Sequence, residues 1–134
     1  MRLNVSIEKQ EDGTYIAYNT NDESVTIIGT GVSVGDAKED FSRSMEEVRQ
    51  ACSESALDVP ESLREEPIFQ FDVSSLFEYY SMINVSAFAR YIGINDALMR
   101  QYKRGDKYIS EIQLRKIEDG IHALGKELSS LRLV

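Results

Sequence analysis

The chain of 134 residues contains no tryptophan, one cysteine, one histidine and two prolines. A single cysteine, Cys52, excludes an internal disulfide and a multi-thiolate zinc site. Cys52 falls on the apolar face of a predicted helix, which favours a reduced core residue over a reactive thiol. His122 lies off the apolar stripe of its helix, so an exposed or interfacial residue is favoured over a catalytic one. We expect no metal site and no cofactor.

Long apolar runs are also missing. None approaches the roughly 18 residues that a membrane-spanning helix needs. The opening MRLNVSIEKQEDG lacks the apolar centre of a secretion signal. The 42% of hydrophobic residues is nevertheless enough to build a core. We therefore expect a globular, cytoplasmic protein without membrane contact.

Positive charge is scarce in the first half of the chain. Residues 1–72 carry 6 Lys and Arg against 16 Asp and Glu, a balance of −10, whereas residues 73–134 carry 9 against 7, a balance of +2. This asymmetry predicts different partners for the two halves, and nucleic acid is the candidate partner of the less acidic half. We place a domain boundary near Asp72.

The acidic half has the pattern of an α+β unit in the order β-β-β-α-β. Alternating apolar residues predict a first strand around Val5, and the stretches GTYIAYN and SVTIIGTG predict two more, the first entered through a tight turn at Asp12 and Gly13. Ser33 has the position of a helix cap. The apolar face of that helix is predicted to cover the sheet, and it consists of Val34, Ala37, Phe41, Met45, Val48 and Cys52. IFQFDV predicts the fourth strand.

Carboxylates are the only candidate metal ligands in this half. Five of them could in principle hold a hard divalent cation, namely Glu8, Asp12, Asp22, Asp36 and Asp40. Their spacing does not bring them together, and a glycine-rich phosphate loop is missing. Solvated carboxylates are favoured over a nuclease site, and we assign no catalytic residue.

The second half is predicted to be entirely helical. Asp72 can cap a short amphipathic helix whose apolar residues are Val73, Leu76, Phe77 and Tyr80. The stretch FARYIGINDALMRQYKRG, residues 88–105, follows it. Ala89 is small where two helices would cross closely, and Gly93 suits a sharp turn with positive φ.

The same stretch predicts a helix-turn-helix motif, with Met99 and Tyr102 packing the second helix back on the first. An apolar helical hairpin within a core is the alternative. Amides and guanidinium groups on the solvent side can contact base edges, and Lys and Arg beside them can neutralise phosphates. Asp96 fits a DNA-binding face less well, because a carboxylate repels phosphates. It is compatible with such a face as a carboxylate at the helix start or as an acceptor from cytosine. The candidate DNA-binding residues are Asn95, Asp96, Ala97, Arg100, Gln101, Lys103, Arg104 and Lys107.

The last helix is predicted to start at Ser110 with Gln113 three residues later. Its apolar stripe repeats at steps of three and four and consists of Leu114, Ile117, Ile121, Leu124, Leu128 and Leu131. The stripe can close the helical core or pair with a second copy. Both uses are compatible if Leu114 and Ile117 point inward while Leu124 to Leu131 form a dimer seam.

Two stretches carry a resemblance to a known family. RLNVSIEKQEDGTYIAYN and GTGVSVGDAKEDFSRSMEEV resemble the N-terminal domain of HicB antitoxins, and FDVSSLFEYYSMINVSAFARYIGINDALMRQYKRGDKYISEIQLRKIEDGIHALGKEL resembles the helix-turn-helix that one branch of the family carries. The resemblance covers nearly the whole chain. It implies a bacterial operon encoding a small basic toxin, HicA, which cleaves mRNA with a catalytic histidine, and an antitoxin that covers it and represses their shared promoter.

The resemblance further implies a partial ribonuclease H-like fold without catalytic residues for the N-terminal domain. The expected partners are a HicA-like toxin, operator DNA and further copies of the chain in a homodimer or higher homo-oligomer. Candidate toxin-binding residues in the acidic half are Glu11, Asp12, Asp22 and Glu23. The alternative function is a stand-alone transcription regulator whose N-terminal domain senses a small ligand.

Overall fold

All four strands precede residue 72, and the chain becomes purely helical after them. The computed structural model describes residues 1–134 and divides into two units, Met1–Ser81 and Met82–Val134. The first, which we call the acidic unit, contains β1 (Asn4–Lys9), β2 (Tyr15–Asn19), β3 (Ile28–Gly31), α1 (Val34–Glu54), a 3-10 turn (Glu61–Leu63), β4 (Ile68–Phe71) and α2 (Val73–Tyr79). The second, the helical unit, contains α3 (Val85–Ile92), α4 (Asp96–Arg104) and α5 (Glu111–Ser129). The α+β class and the order β-β-β-α-β are as predicted.

The four strands form one mixed sheet in the order β3-β2-β1-β4. β1 pairs antiparallel with β2, β2 pairs antiparallel with β3, and β4 runs parallel to β1. The β1–β2 hairpin closes through the amide of Gln10, which donates to the Thr14 carbonyl at 2.7 Å. Only the parallel β4 needs a long connection, which α1 supplies.

Helix α1 covers one face of the sheet and forms the core with it. Ser33 caps the helix as predicted, because its Oγ accepts from the Asp36 amide at 3.1 Å. The buried apolar residues are Leu3, Val5, Ile7, Tyr15, Ala17, Ile27, Val34, Ala37, Phe41, Met45 and Leu63. Cys52 is only partly buried, because it falls in the last turn of α1, so its predicted place in the core is wrong.

Helix α2 belongs to the acidic unit, so the boundary lies after Ser81 and not near Asp72. Asp72 caps α2 by accepting from the Ser75 amide at 2.7 Å, and its second oxygen accepts from the Lys9 amide at 3.0 Å. Val73 and Phe77 are buried. An amphipathic pattern shows that a helix has a packed side, but it does not show which core that side joins.

The helical unit has a small core of its own, made of Phe88, Ala89, Ile94, Met99, Tyr102 and Ile117. Helix α5 is capped by Ser110, as predicted, and packs on α3 where Gly120 lies against Ile92 and Phe88; Ile117 is buried on the same helix. Leu114, expected to point inward, is 44% exposed. The buried line of α5 runs through Ile117 and Gly120, and Leu114 lies on its flank.

Candidate functional site

The α3–α4 hairpin is built around a sharp turn at Gly93. Gly93 has φ 78°, in the left-handed region that the sequence predicted for this position. Its amide still bonds back to the end of α3, and the Ile94 amide donates to the Ala89 carbonyl at 2.9 Å. Ala89 and Met99 are fully buried. The two helices therefore cross closely where the sequence places its small residue.

One face of α4 points to solvent. Ala97, Arg100, Gln101 and Arg104 follow the spacing of one helix face, at successive steps of three, one and three residues. Met99 and Tyr102 occupy the opposite, buried face. Because Ala97 is small, the start of this face can approach a surface closely. The face offers the Gln101 amide and the Arg100 guanidinium, which are donors of the kind that read base edges, and it ends at the Arg104 guanidinium in the last turn of α4.

The first turn of α4 uses two of the predicted DNA-binding side chains for its own structure. The Asn95 side-chain oxygen accepts from the amides of Ala97 and Leu98 at 2.9 and 3.2 Å. This oxygen caps the helix, so only the Asn95 NH₂ group can serve another partner. Asp96 accepts from the Arg90 guanidinium at 2.7 Å. That ion pair offsets the one negative charge on the hairpin's exposed turn.

A cluster of cations lies beside the first turn of α3. Arg100 donates to the Ser86 hydroxyl at 3.1 Å, and with Lys103 and Arg104 it lines a depression that Asn84 and Ser86 complete. The amino end of a helix carries partial positive charge. The depression therefore brings Lys103 and Arg104 to a helix amino end, an environment that favours a phosphate group, whereas Arg100 belongs both to the depression and to the exposed face of α4.

The predicted cations Arg104 and Lys107 differ in their surroundings. Arg104 pairs with Asp106 at 2.7 Å, and both side chains are more than half exposed. Lys107 is exposed in the loop after α4. Lys116 of α5, which the sequence did not single out, donates to the Gly93 carbonyl at 3.1 Å. Ser86 and Arg90 were also missed, because nothing in their local sequence indicates partners on α4.

The four candidate toxin-binding acids do not form one site. Glu11 and Asp12 lie at the β1–β2 turn, whereas Asp22 and Glu23 lie in the β2–β3 loop, and these are opposite ends of the β1–β2 ladder. Hydrogen bonds from Thr14 hold the pKa of Asp12 below its ordinary value. Only Glu11 and Glu23 are exposed without a hydrogen-bond or ion-pair partner.

Asp22 anchors the β2–β3 loop. Its Oδ1 accepts from the Ser24 hydroxyl at 2.6 Å and from the Ser24 amide at 3.0 Å, and its Oδ2 accepts from the Ser62 hydroxyl at 2.5 Å. The hydrogen bonds from Ser24 and Ser62 lower the pKa of this carboxyl. Asp22 thus has a structural role, which its position in an acidic stretch did not reveal.

Nowhere in residues 1–134 do three or more His, Cys, Asp or Glu side chains gather as metal ligands would. None of the helices combines the length and the apolar character required to cross a bilayer. Comparison of the chain with protein-family models, curated proteins and solved structures gives no match.

Proposed function

We propose that this protein is an antitoxin that binds and neutralises a HicA-like mRNA-cleaving toxin and represses its own operon by binding operator DNA. It acts by binding and carries out no chemistry of its own. In this proposal the acidic unit is a HicB-like domain with a partial ribonuclease H-like fold, the helical unit is a helix-turn-helix domain, and the protein works in the bacterial cytoplasm.

The division of charge between the two units carries the proposal. The acidic unit has 6 Lys and Arg against 17 Asp and Glu, a balance of −11, whereas the helical unit has 9 against 6, a balance of +3. Opposite fields raise association rates and bias the choice of partner. A basic protein therefore suits the first unit, and DNA suits the second.

The exposed face of α4 supports the DNA-binding part. Arg100 and Gln101 would contact base edges in the major groove, while Lys103, Arg104 and Lys107 would lie along phosphates. The Arg90 partner of Asp96 reduces the repulsion that a free carboxylate would cause there. In helix-turn-helix proteins the second helix of the motif lies in the major groove and contacts the bases.

Exposed leucines on and after α5 support a dimer. Leu128 and Leu131 are 56% and 64% exposed. Leu128 lies on α5 at helical spacing from the buried Ile117, and Leu131 follows the end of the helix. A two-fold dimer would cover them and would present two copies of α4 to an operator with two half-sites.

Co-expression of the full chain with the product of a neighbouring short, basic reading frame tests the proposal. We expect growth to be rescued and the two proteins to co-elute on size exclusion. A catalytically inactive toxin, with its histidine replaced by alanine, serves as the binding control because it avoids toxicity. Failure of the two proteins to associate, or the lack of any such reading frame, would favour the stand-alone regulator.

A further inference from the structure

One face of the sheet in the acidic unit has no helix over it. Val5, Ile7 and Ala17 point toward α1 and are fully buried. Successive strand residues point to opposite faces, so Ser6, Glu8 and Tyr18 point the other way. We call this second surface the open face. No element of the acidic unit covers its centre.

The β2–β3 side of the open face carries apolar side chains. Tyr18 of β2 lies directly opposite Ile28 of β3 in the register, and Ile16 is the next outward residue on β2. Ile28 is 50% exposed. Directly opposed side chains on neighbouring strands are in contact range. These three residues therefore form one continuous apolar patch at the β2–β3 side of the sheet.

Carboxylates border this patch, and cations do not. Glu8 of β1, opposite Ile16, accepts from the Tyr18 hydroxyl at 3.1 Å. Glu23 lies in the β2–β3 loop, which with Ile16, Tyr18 and Ile28 lines a shallow groove. No Lys or Arg occupies an outward position on β1, β2 or β3.

The loop beside the groove is held in place. The Asn19 side chain donates to the carbonyls of Asp22 and Val25 at 3.1 and 2.9 Å and accepts from the Ile27 amide at 2.8 Å. Ser62 fixes Asp22 from the 3-10 turn. A partner would thus meet a preformed surface, which lowers the ordering cost of binding.

We propose that the open face is the docking surface for a basic protein partner, one that inserts an apolar side chain between Ile16, Tyr18 and Ile28 while its Lys or Arg residues meet Glu8 and Glu23. This inference rests on the proposed function and names the surface that the toxin would use. Pairing with a second copy of this face is disfavoured, because a two-fold contact sets the same acidic border against itself.

Addition of a strand at the β3 edge is a different mode, and the structure blocks it in part. At the free edge of β3, the backbone amide of Thr30 donates to the Asp40 side chain at 2.9 Å. An edge whose amide is already bonded offers less to an incoming strand. The side chains of the open face, and not its edge, therefore carry the proposed contact.

Calorimetric titration of the full chain with the inactive HicA-like toxin tests the surface. We expect Ile28→Ser to raise the Kd by about tenfold or more, because an apolar contact within the patch is lost. We expect Glu23→Gln mainly to slow association and to reduce its salt dependence, as a border charge does. The matched controls are Val32→Ser, an exposed apolar residue after β3, and Glu47→Gln, an exposed acid on α1.

The outcomes separate the two proposals. If the toxin binds the unaltered chain and both open-face variants with equal Kd, the docking surface is wrong and the antitoxin function stands. If the toxin binds none of them, the function fails and the inference fails with it. If Ile28→Ser instead abolishes self-association of the unaltered chain, the occupant is a second copy and not a basic protein. Circular dichroism melts confirm that each variant is folded.

Discussion

Arg90 of α3 and Asp96 at the start of α4 form an ion pair across the turn of the hairpin, with 2.7 Å between Nη1 and Oδ2. The pair is solvent-exposed, with 65% of the Arg90 side chain and 33% of the Asp96 side chain accessible. Such pairs contribute at most about 1 kcal/mol to stability. Its larger effect is on the charge that the turn presents to a phosphate backbone.

Asp96→Asn and Arg90→Gln should therefore change DNA binding in opposite directions. Removing the carboxylate should tighten binding, whereas removing its partner leaves an uncompensated negative charge and should weaken it. Both variants should lose no more than about 1 kcal/mol of stability. Fluorescence anisotropy with a labelled duplex measures the affinities. Weaker binding by both variants would mean that the pair acts by holding the hairpin together.

Two glycines of α5 should respond oppositely to alanine. A Cβ on Gly120 would overlap the Ile92 side chain and lie 3.3 Å from the Phe88 ring, whereas a Cβ on Gly125 would meet nothing within 4 Å. We expect Gly120→Ala to destabilise by about 1 to 3 kcal/mol through overpacking. Gly125→Ala should stabilise by up to about 1 kcal/mol through helix propensity. Urea unfolding followed by circular dichroism measures the free energy of unfolding of both variants. Stabilisation by both changes would mean that α5 does not pack closely on α3.

Acid should weaken the acidic unit partly through Asp22. Its pKa is lower in the folded chain than the ordinary value of 3.8, because Ser24 and Ser62 donate to the carboxylate. The unfolded chain therefore binds the proton more readily, so this contribution is complete above the ordinary pKa and is lost as pH falls through the lowered one. Ser62→Ala should reduce the loss, and Ser42→Ala, an exposed serine on α1, should not. Unfolding curves between pH 5 and about 2 give the dependence of the unfolding free energy on pH. An identical pH dependence for the unaltered chain and both variants would contradict the role assigned to Asp22.

The dimer should depend on the exposed leucines. We expect light scattering to give at least a dimer at micromolar concentration, and Leu128→Lys to give a monomer because a charge replaces an apolar contact. Ala123→Lys is the control, since it places the same charge on an exposed position of α5 away from the stripe. A monomeric unaltered chain, both free and on DNA, would exclude the seam.

Local features were predictable because they depend on a few neighbouring residues. Ser33, Asp72 and Ser110 cap the helices that the sequence assigned to them. The turn at Gly93 was predictable because few other residues adopt its φ. These features need no knowledge of distant contacts.

What depended on distant contacts was missed. The sequence does not show that α2 packs in the acidic unit, since its apolar side fits either core. It also does not show that Asp22 is an anchor, because its partner Ser62 lies 40 residues away. At the candidate DNA site the exposed face of α4 followed from helical spacing, but Ser86 and Arg90 belong to another helix. Helical spacing indicates which residues share a face and leaves their partners open.

Alanine substitutions in and after α4 should impair DNA binding in two different ways, one for Arg100 and Gln101 and the other for Lys107. Arg100 and Gln101 share the exposed face of α4, where donors could reach base edges. Each alanine substitution should therefore reduce the binding free energy for the operator by roughly 1 to 3 kcal/mol and lower the ratio of operator affinity to random-DNA affinity. Lys107 lies beyond the helix, where it would meet only a phosphate. Its loss should weaken binding to both sequences alike and reduce the salt slope by about 1, because one fewer counterion is released. Gel-shift titrations at two salt concentrations, on operator and random duplexes, separate the two patterns. If Arg100→Ala and Gln101→Ala bind the operator as tightly as the unaltered chain, the hairpin is a packing element and the repressor half of the proposed function is wrong.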